Sequence, residues 1–558
     1  MSSTVSTGRA SGQWSAIARF GRNCRTEANV ATQTDIPVWR EIGEAPHPGV
    51  AGEKATVAIV GGGPVGLAMA IELGSLGHRV LLLNRFDFIS AGSKAICFSK
   101  RTLDIFDRLG VGDPIVNKGV SWNVGKVFWG ASEDPVYHFD ILPVKDQKRP
   151  GFINIQQYYV EELLFEAASK LSFVDLRFGH NVVAVEPDAT GVDLKVETSE
   201  GTYEIRADWL IACDGSRSPV RAMLGLEFDG RVFEDNFLIA DIKMEGDHPP
   251  ERKFWFDPPF NPGQSALMHK QPDNVWRLDF QLGWNIDREA EVAPENVEPR
   301  VRALLGPGVP FSQEWYSIYT FQCRRMEHFL HGRVMFAGDS AHLVSPFGAR
   351  GCNGGIADVD NLGWKLNLVL RGEAPESLLQ TYDYEAIATA DENIQNSTRS
   401  TDFMTPKSEA SKAFRDAVLE LSRDHPFARP FVNSGRLSTA VSYPNSPLNT
   451  ADVDLWAGGI KPGSPALDAP LGGRWLLEML GNWFVLLADG WQGPEPEDVD
   501  VVDIAFGNSN VDLIRDRYDF SPGSAYLIRP DQYVAARFRK PTLEAITQAL
   551  QRAQGRQP

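Results

Sequence analysis

A run of apolar residues, Thr56-Val57-Ala58-Ile59-Val60, breaks directly into Gly61-Gly62-Gly63-Pro64-Val65-Gly66 and then into an apolar stretch at helical spacing with Val65, Leu67, Ala70, Ile71 and Leu73. Gly77 ends that stretch, and a second apolar run, Val80-Leu81-Leu82-Leu83, follows. Strand, glycine turn, helix and strand in this order begin a doubly wound α/β sheet. The glycines have separate duties: Gly61 makes the tight turn, Gly63 lets the backbone approach a pyrophosphate, and Gly66 lets the helix pack on its strand. Pro64 suits the first helical turn, where its missing N–H is no loss. The helix N-terminus then offers unpaired N–H groups and partial positive charge to phosphate oxygens. In this frame the pattern reads as a dinucleotide site rather than as a tight turn alone. The end of the second strand, where an acid normally holds the adenosine ribose, carries Asn84 and then Arg85. An amide bonds a ribose hydroxyl more weakly than a carboxylate does. No second loop of this kind occurs, which hints at one dinucleotide held tightly and a nicotinamide that comes and goes.

At about 150 residues per domain, 558 residues predict three or four domains. The net charge of −18 argues against general affinity for nucleic acid or anionic lipid, and no apolar run reaches the ~18 residues of a membrane span. The cysteines (Cys24, Cys97, Cys213, Cys323, Cys352) show no C-x-x-C spacing, so neither a zinc ribbon nor a redox pair is indicated, and no metal is expected. They read as small buried hydrophobes in a reducing cytoplasm. The first 26 residues hold four arginines and no acid, a faint transit-peptide character, but a disordered Ser/Thr-rich extension reaching to about Gly52 is the better reading.

Two further motifs follow. In Asp208-Trp209-Leu210-Ile211-Ala212-Cys213-Asp214-Gly215-Ser216-Arg217-Ser218-Pro219, a buried strand delivers Asp214 and Gly215 to a turn before a short helix; the plain alternative is an acidic turn with a serine cap. In Val334-Met335-Phe336-Ala337-Gly338-Asp339-Ser340-Ala341-His342, then Pro346-Phe347-Gly348, then Gly351-Cys352-Asn353-Gly354-Gly355, a strand ends at an acid and a glycine-rich bend opens a long helix. Asp339 can hold a ribitol or ribose hydroxyl. Free N–H groups from Gly351 to Gly354 can face an oxygen that becomes negative on reduction.

Taken together, Gly61-x-Gly63-x-x-Gly66, Asp214-Gly215 and Gly338-Asp339, in this order and at these separations, resemble the single-component FAD-dependent aromatic hydroxylases, relatives of the phenol, 4-hydroxybenzoate and 3-(3-hydroxyphenyl)propionate hydroxylases. The resemblance spans residues 55 to 440. It implies an FAD-binding Rossmann-like domain of the glutathione-reductase type in two parts (53–228 and 325–440), an antiparallel substrate sheet (229–324) and a thioredoxin-like C-terminal domain without redox cysteines (441–558), after the extension 1–52. It also implies FAD contacts at Gly61, Gly63, Pro64, Val65, Gly66, Asn84, Arg85, Arg101, Gln157, Asp214, Gly215, Gly338, Asp339, Pro346, Gly351, Cys352 and Asn353. Departures from the family are Asn84 for Glu, Lys94 where Arg is common, and Ala349-Arg350 for Gly-Gln.

The implied activity is hydroxylation of a phenolic substrate with NAD(P)H and O₂ through a hydroperoxide on the reduced flavin, in a protein that acts as a homodimer. An aromatic-rich stretch containing Trp255, Trp276, Trp315, Tyr316 and Tyr319 suits a planar substrate. A base that deprotonates the phenol raises ring nucleophilicity. His269 and Tyr316 are candidates, with Tyr319 a further one, each weighed against an ordinary packing role, and Pro346 would lie beside the flavin. Rival readings are oxygenation of a polycyclic polyketide and a non-catalytic flavoprotein module.

Overall fold

The computed structural model describes residues 37–48, 52–91, 94–122, 124–140, 144–246, 248–432, 438–505 and 511–556. Its first large sheet is built as the sequence predicts. The strands Glu53–Val60 and Val80–Asn84 run parallel around the helix Pro64–Ser75. Across the sheet the order is Val174–Phe178, Val80–Asn84, Glu53–Val60, Gly201–Ala212, Val192–Thr198, Asn181–Pro187, and Val334–Phe336 adds parallel to the end of Gly201–Ala212. Val57, Ala58, Ile59, Leu82 and Leu83 have no more than trace exposure, because helices cover the sheet.

Register decides where the motifs meet. Ala212 stands opposite Val60 on one side and Phe336 on the other. The three strands therefore end level, and Gly61, Asp214 and Gly338, one or two residues beyond those ends, leave the same edge of the sheet. That is the carboxyl edge, where open α/β sheets take their ligands. The helix Gly351–Leu370 packs across it: a Cβ on Gly355 would come within 2.6 Å of the Val65 side chain and 3.1 Å of the Gly338 Cα.

The second sheet has eight strands in the order His342–Leu343, Phe311–Arg325, Asp229–Met244, Val275–Gln281, Ser265–Lys270, Arg252–Phe256, Val124–Trp129, Tyr137–Asp140. The antiparallel character expected of 229–324 holds for its centre. Two strands come from further upstream, however, and Arg252–Phe256 pairs with Val124–Trp129 in parallel.

The expected unstructured extension to Gly52 is corrected in part. Residues 1–36 lie outside the described residues. Val38–Glu41 is a strand on Phe88–Ser90. Trp39 stacks on Tyr158 at 4.2 Å, and Arg40 pairs with Glu162 and Glu166 at 3.0 and 2.9 Å. At the other end, a four-stranded sheet runs Asp500–Asp503, Val485–Ala488, Ala525–Ile528, Val534–Phe538. The closing helix Leu543–Ala553 is capped by the Thr542 side chain, which accepts from the Ala545 N–H.

Candidate active site

The glycine turn has the shape a pyrophosphate needs. Gly61 sits at φ +113°, and a Cβ there would overlap the Cys213 carbonyl; a Cβ on Gly66 would overlap the Gly61 carbonyl. Gly63 differs: a Cβ there meets nothing within 4 Å. Two glycines are thus required by the chain itself, and the third borders open space. The Leu67 N–H closes the first helical turn on the Gly63 carbonyl at 3.0 Å, which leaves the amides ahead of it aimed outward. Gly215, at φ +84°, is equally open.

Asp339 is exposed to that space. It stands deep enough in the cleft that desolvation, with Asp358 adding, holds its carboxyl above the usual range. Its turn is fixed from behind. Asp358 Oδ2 accepts from the Gly338 N–H at 2.8 Å and pairs with His342 Nε2 at 2.7 Å, both side chains buried. Burial alone would lower the His342 pKa; the charge and hydrogen bond of Asp358 outweigh it and leave it raised. His342 is therefore a positioning residue for the Asp339 turn. Ser218 caps the short helix Pro219–Met223 by accepting from the Arg221 N–H, and Asp214 accepts from the Val220 N–H at 3.0 Å in the same turn, with desolvation raising its pKa.

At the Gly351–Leu370 helix, the Gly354 N–H bonds the Arg350 carbonyl at 2.8 Å. The N–H groups of Gly351, Cys352 and Asn353 precede that bond and lack a helical partner. The bend before the helix is strained at Ala349, which holds φ +54° where a glycine would be at ease. Phe347 is wedged against Phe237 and Phe321 of the second sheet at 5.0 and 5.3 Å, and Pro346 stays exposed. The bend thus joins the carboxyl edge of the first sheet to the inner face of the second sheet.

Several residues assigned to the cofactor turn out to be held by the chain. Asn84 Oδ1 accepts from the Gly62 N–H at 3.0 Å and its amide donates to the Phe86 carbonyl at 2.9 Å, so it braces the glycine turn. The Asn353 side chain staples Ser99, Thr102, Cys97 and Ala349; its backbone N–H remains available. Gln157 accepts from the Ala95 N–H at 3.1 Å and donates to Glu161 at 2.6 Å. Arg85 is exposed over the Phe86 ring. Arg101 is held likewise: its guanidinium is bound to Asp360, Gln532 and the Asp531 carbonyl and lies over Tyr533, which ties it to the C-terminal residues.

The inner face of the second sheet carries a polar row. His269 stands opposite Arg277, and Arg277 opposite Asp241. Arg277 pairs with Asp241 at 2.9 Å and donates to the Lys94 carbonyl. His269, 3% exposed, pairs through Nε2 with Asp279 at 3.2 Å, while Nδ1 is buried without a hydrogen-bond partner. Burial first, then the charge of Arg252, depress its pKa to about 4. It is neutral at pH 7. With Nε2–H given to Asp279, Nδ1 is a free acceptor. Tyr316 does not share this site. It stands opposite Ala240, one residue out of phase with Asp241, so alternation puts it on the outer face among Leu278, Val297 and Val301. Tyr319, three residues on, returns to the inner face beside Phe321.

The comparisons with known proteins agree with this geometry. The FAD-binding domain family matches residues 54–397, more than half of the chain. The chain is 29% identical over 543 residues to a 3-(3-hydroxy-phenyl)propionate/3-hydroxycinnamic acid hydroxylase of Burkholderia cenocepacia, covering 90% of this chain and 97% of that one. It is 30% identical to a 12-dehydrotetracycline 5-monooxygenase/anhydrotetracycline 6-monooxygenase of Streptomyces rimosus, over 86% of this chain and 94% of that one. Among solved structures, the flavin-dependent monooxygenase PieE, in complex with FAD and substrate, superposes with a TM-score of 0.75 at 23% identity, covering 91% and 100% of the two chains. The chain belongs to the FAD-dependent aromatic hydroxylases, and FAD is its cofactor. The open side of Gly63, the cleft-facing Asp339 and the free N–H groups of Gly351 to Asn353 fit that group. Replacing Asp339 with Ala is expected to weaken FAD binding about 10- to 100-fold, the worth of one charge-assisted hydrogen bond. Titration of the apoprotein with FAD checks this, and unchanged affinity removes Asp339 from the site. No helix of the described residues is long and apolar enough to cross a membrane.

Proposed function

We propose that this protein hydroxylates a phenolic aromatic substrate, with NAD(P)H as the electron donor and O₂ as the oxygen source; one oxygen atom enters the ring and the other leaves as water. The observation that carries the reading is that the bend at the FAD-facing edge packs Phe347 on Phe237 and Phe321 of the inner sheet face, the same face on which His269 Nδ1 stands as a neutral acceptor without a hydrogen-bond partner. Bound at Gly63, Asp339 and the Gly351 helix, FAD supplies the electron transfer and oxygen activation that side chains lack. The chain supplies the rest. Phe237, Phe321 and Phe347 keep water from the space beside the bend, and the ring of the substrate lies against them. His269 Nδ1 accepts the phenol proton, which makes the ring more nucleophilic. Pro346 and Ala349 shape the bend on the cofactor side. Residues 441–558 fit a thioredoxin-like unit, since two parallel strands are followed by two antiparallel ones and a helix in that fold's order.

The test is NAD(P)H oxidation by the purified protein in air, with and without a panel of phenols, with product analysis. Stimulation together with a hydroxylated product is expected for at least one simple phenol. The relationship to the tetracycline enzyme gives the second reading its footing: stimulation by polycyclic phenols alone favours a polyketide substrate, and peroxide as the sole product throughout overturns both.

A further inference from the structure

Beside His269, the polar row carries a cation with no carboxylate in hydrogen-bond contact among the described residues; Asp279 acts on it only through its charge. Arg252 is 4% exposed. Register places it on the strand next to His269, since its neighbour Lys253 stands opposite Met268. Its guanidinium lies near the rings of Trp122 and Phe254, at 5.5 and 4.9 Å. Among the described residues its hydrogen-bond partner is the Cys97 sulfur, 3.6 Å from Nη1, and its buried Nε has none. The nearby carboxylates are engaged elsewhere: Asp279 with His269 and Asp241 with Arg277. Arg277 and Arg529 are buried to a similar degree, and each has a carboxylate in hydrogen-bond contact. A guanidinium buried against a thiol and two rings is poorly compensated, and an anion arriving beside it is strongly favoured.

Its position relates that anion to the reaction. Cys97 and Trp122 pack in one cluster with Ala349, the residue after the Pro346-Phe347-Gly348 bend. Arg252 stands on the strand beside His269, and the pair presents two buried atoms without a hydrogen-bond partner among the described residues, the His269 Nδ1 acceptor and the Arg252 Nε donor.

Building on the hydroxylase reading, we propose that Arg252 is a catalytic residue: it holds the phenolate oxygen of the substrate after the phenol O–H has passed its proton to His269 Nδ1. The O–H bond breaks, the N–H bond forms, the electron pair stays on oxygen, and no electron is transferred. The groups that face the pair are Asp279 and Arg277 from the sheet and Cys97 from the packed strand. In the free protein the Arg252 charge helps to keep His269 neutral. A phenolate seated on Arg252 offsets that charge, so His269 gains proton affinity as the phenol loses its proton. Each half of the transfer assists the other.

The experiment uses the FAD-loaded enzyme with 4-nitrophenol, whose phenol and phenolate forms differ in absorbance. Its pKa when bound to the wild-type protein is expected at least one unit below its value in water. Arg252→Gln is expected to return it to the solution value or above, with FAD retained. With a turned-over phenol, kcat at pH 7 is expected to fall at least 30-fold with a smaller change in KM. The deficit should shrink at high pH, where the phenol ionises unaided, and Arg252→Lys should restore part of the rate. A bound pKa that Arg252→Gln leaves unmoved overturns the proposal. So does a loss confined to the KM of carboxylate-bearing phenols, because Arg252 then reads a carboxylate arm. If the wild-type enzyme hydroxylates no phenol at all, the underlying function is wrong; if hydroxylation stands and Arg252→Gln matches wild type, this inference alone falls.

Discussion

Gly63→Leu is expected to yield a folded protein that purifies colourless, with FAD affinity lowered by at least three orders of magnitude. The reasoning separates two kinds of glycine in one turn. At Gly61 and Gly66 any side chain runs into the backbone of the protein itself, at the Cys213 and Gly61 carbonyls, so substitution there damages the fold with or without cofactor. At Gly63 a Cβ meets no protein atom within 4 Å, and the backbone is extended at φ −81°, a conformation that leucine adopts freely. The apoprotein therefore gives no reason to exclude a side chain, whereas a bulky one would occupy the space a pyrophosphate takes and screen the helix N-terminus from it. The check pairs the visible spectrum with the far-UV circular dichroism of Gly63→Leu and Gly66→Leu. A wild-type flavin spectrum in Gly63→Leu would remove the cofactor from this turn. Loss of structure in Gly63→Leu would show that the turn is needed for folding rather than for binding.

That contrast also shows what the sequence could tell. The Thr56–Val60 strand, its glycine turn and its helix are a local unit, and hydrophobic period plus turn chemistry specify them without reference to the rest of the chain. The meeting of Gly61, Asp214 and Gly338 is not local: it depends on the Val60–Ala212–Phe336 register, which only the family resemblance anticipated. Tyr316 illustrates the limit. Its place on the outer face follows from pairing with Ala240, and a one-residue change of register would have reversed it. Arg252 escaped notice because it belongs to no motif; its one signal was a pair of cations leading an aromatic strand, Arg252-Lys253-Phe254-Trp255-Phe256. The Val38–Glu41 strand was hidden for a related reason, since a four-residue edge strand stabilised by Trp39 stacking and Arg40 ion pairs has almost no periodic pattern of its own.

Glu385→Gln is expected to destabilise the protein by about 3–5 kcal/mol, the cost of leaving buried cations without their anion. The Glu385 carboxylate, fully buried, accepts from Asn361 Nδ2 at 2.6 Å, Lys365 Nζ at 2.7 Å, Arg529 Nη1 and Nη2 at 2.8 and 2.9 Å, and Ser446 Oγ at 2.6 Å. These partners come from the long helix that opens at the cofactor edge, from the Tyr443–Asn449 turn and from the C-terminal sheet region, so one carboxylate joins three parts of the chain. Burial by itself would raise its pKa; the charge of Arg529, then that of Lys365, more than reverses this and holds it well below the usual range. A depressed carboxylate pKa contributes stability that is present above the unfolded value and lost as pH falls through the folded one. Wild-type stability should therefore drop as pH is lowered below about 4.5, and Glu385→Gln, which has no charge to lose, should show a shallower acid slope. Denaturant titrations at pH 7 and pH 4, read by tryptophan fluorescence, test both statements; a pH 7 difference under about 1 kcal/mol would mean that the surrounding cations are satisfied without Glu385. Because Asn361 and Lys365 lie on the helix Gly351–Leu370, to whose first N–H groups we assign an FAD contact, loosening this clasp should also lower FAD retention, while Asp339 and Gly63 remain intact.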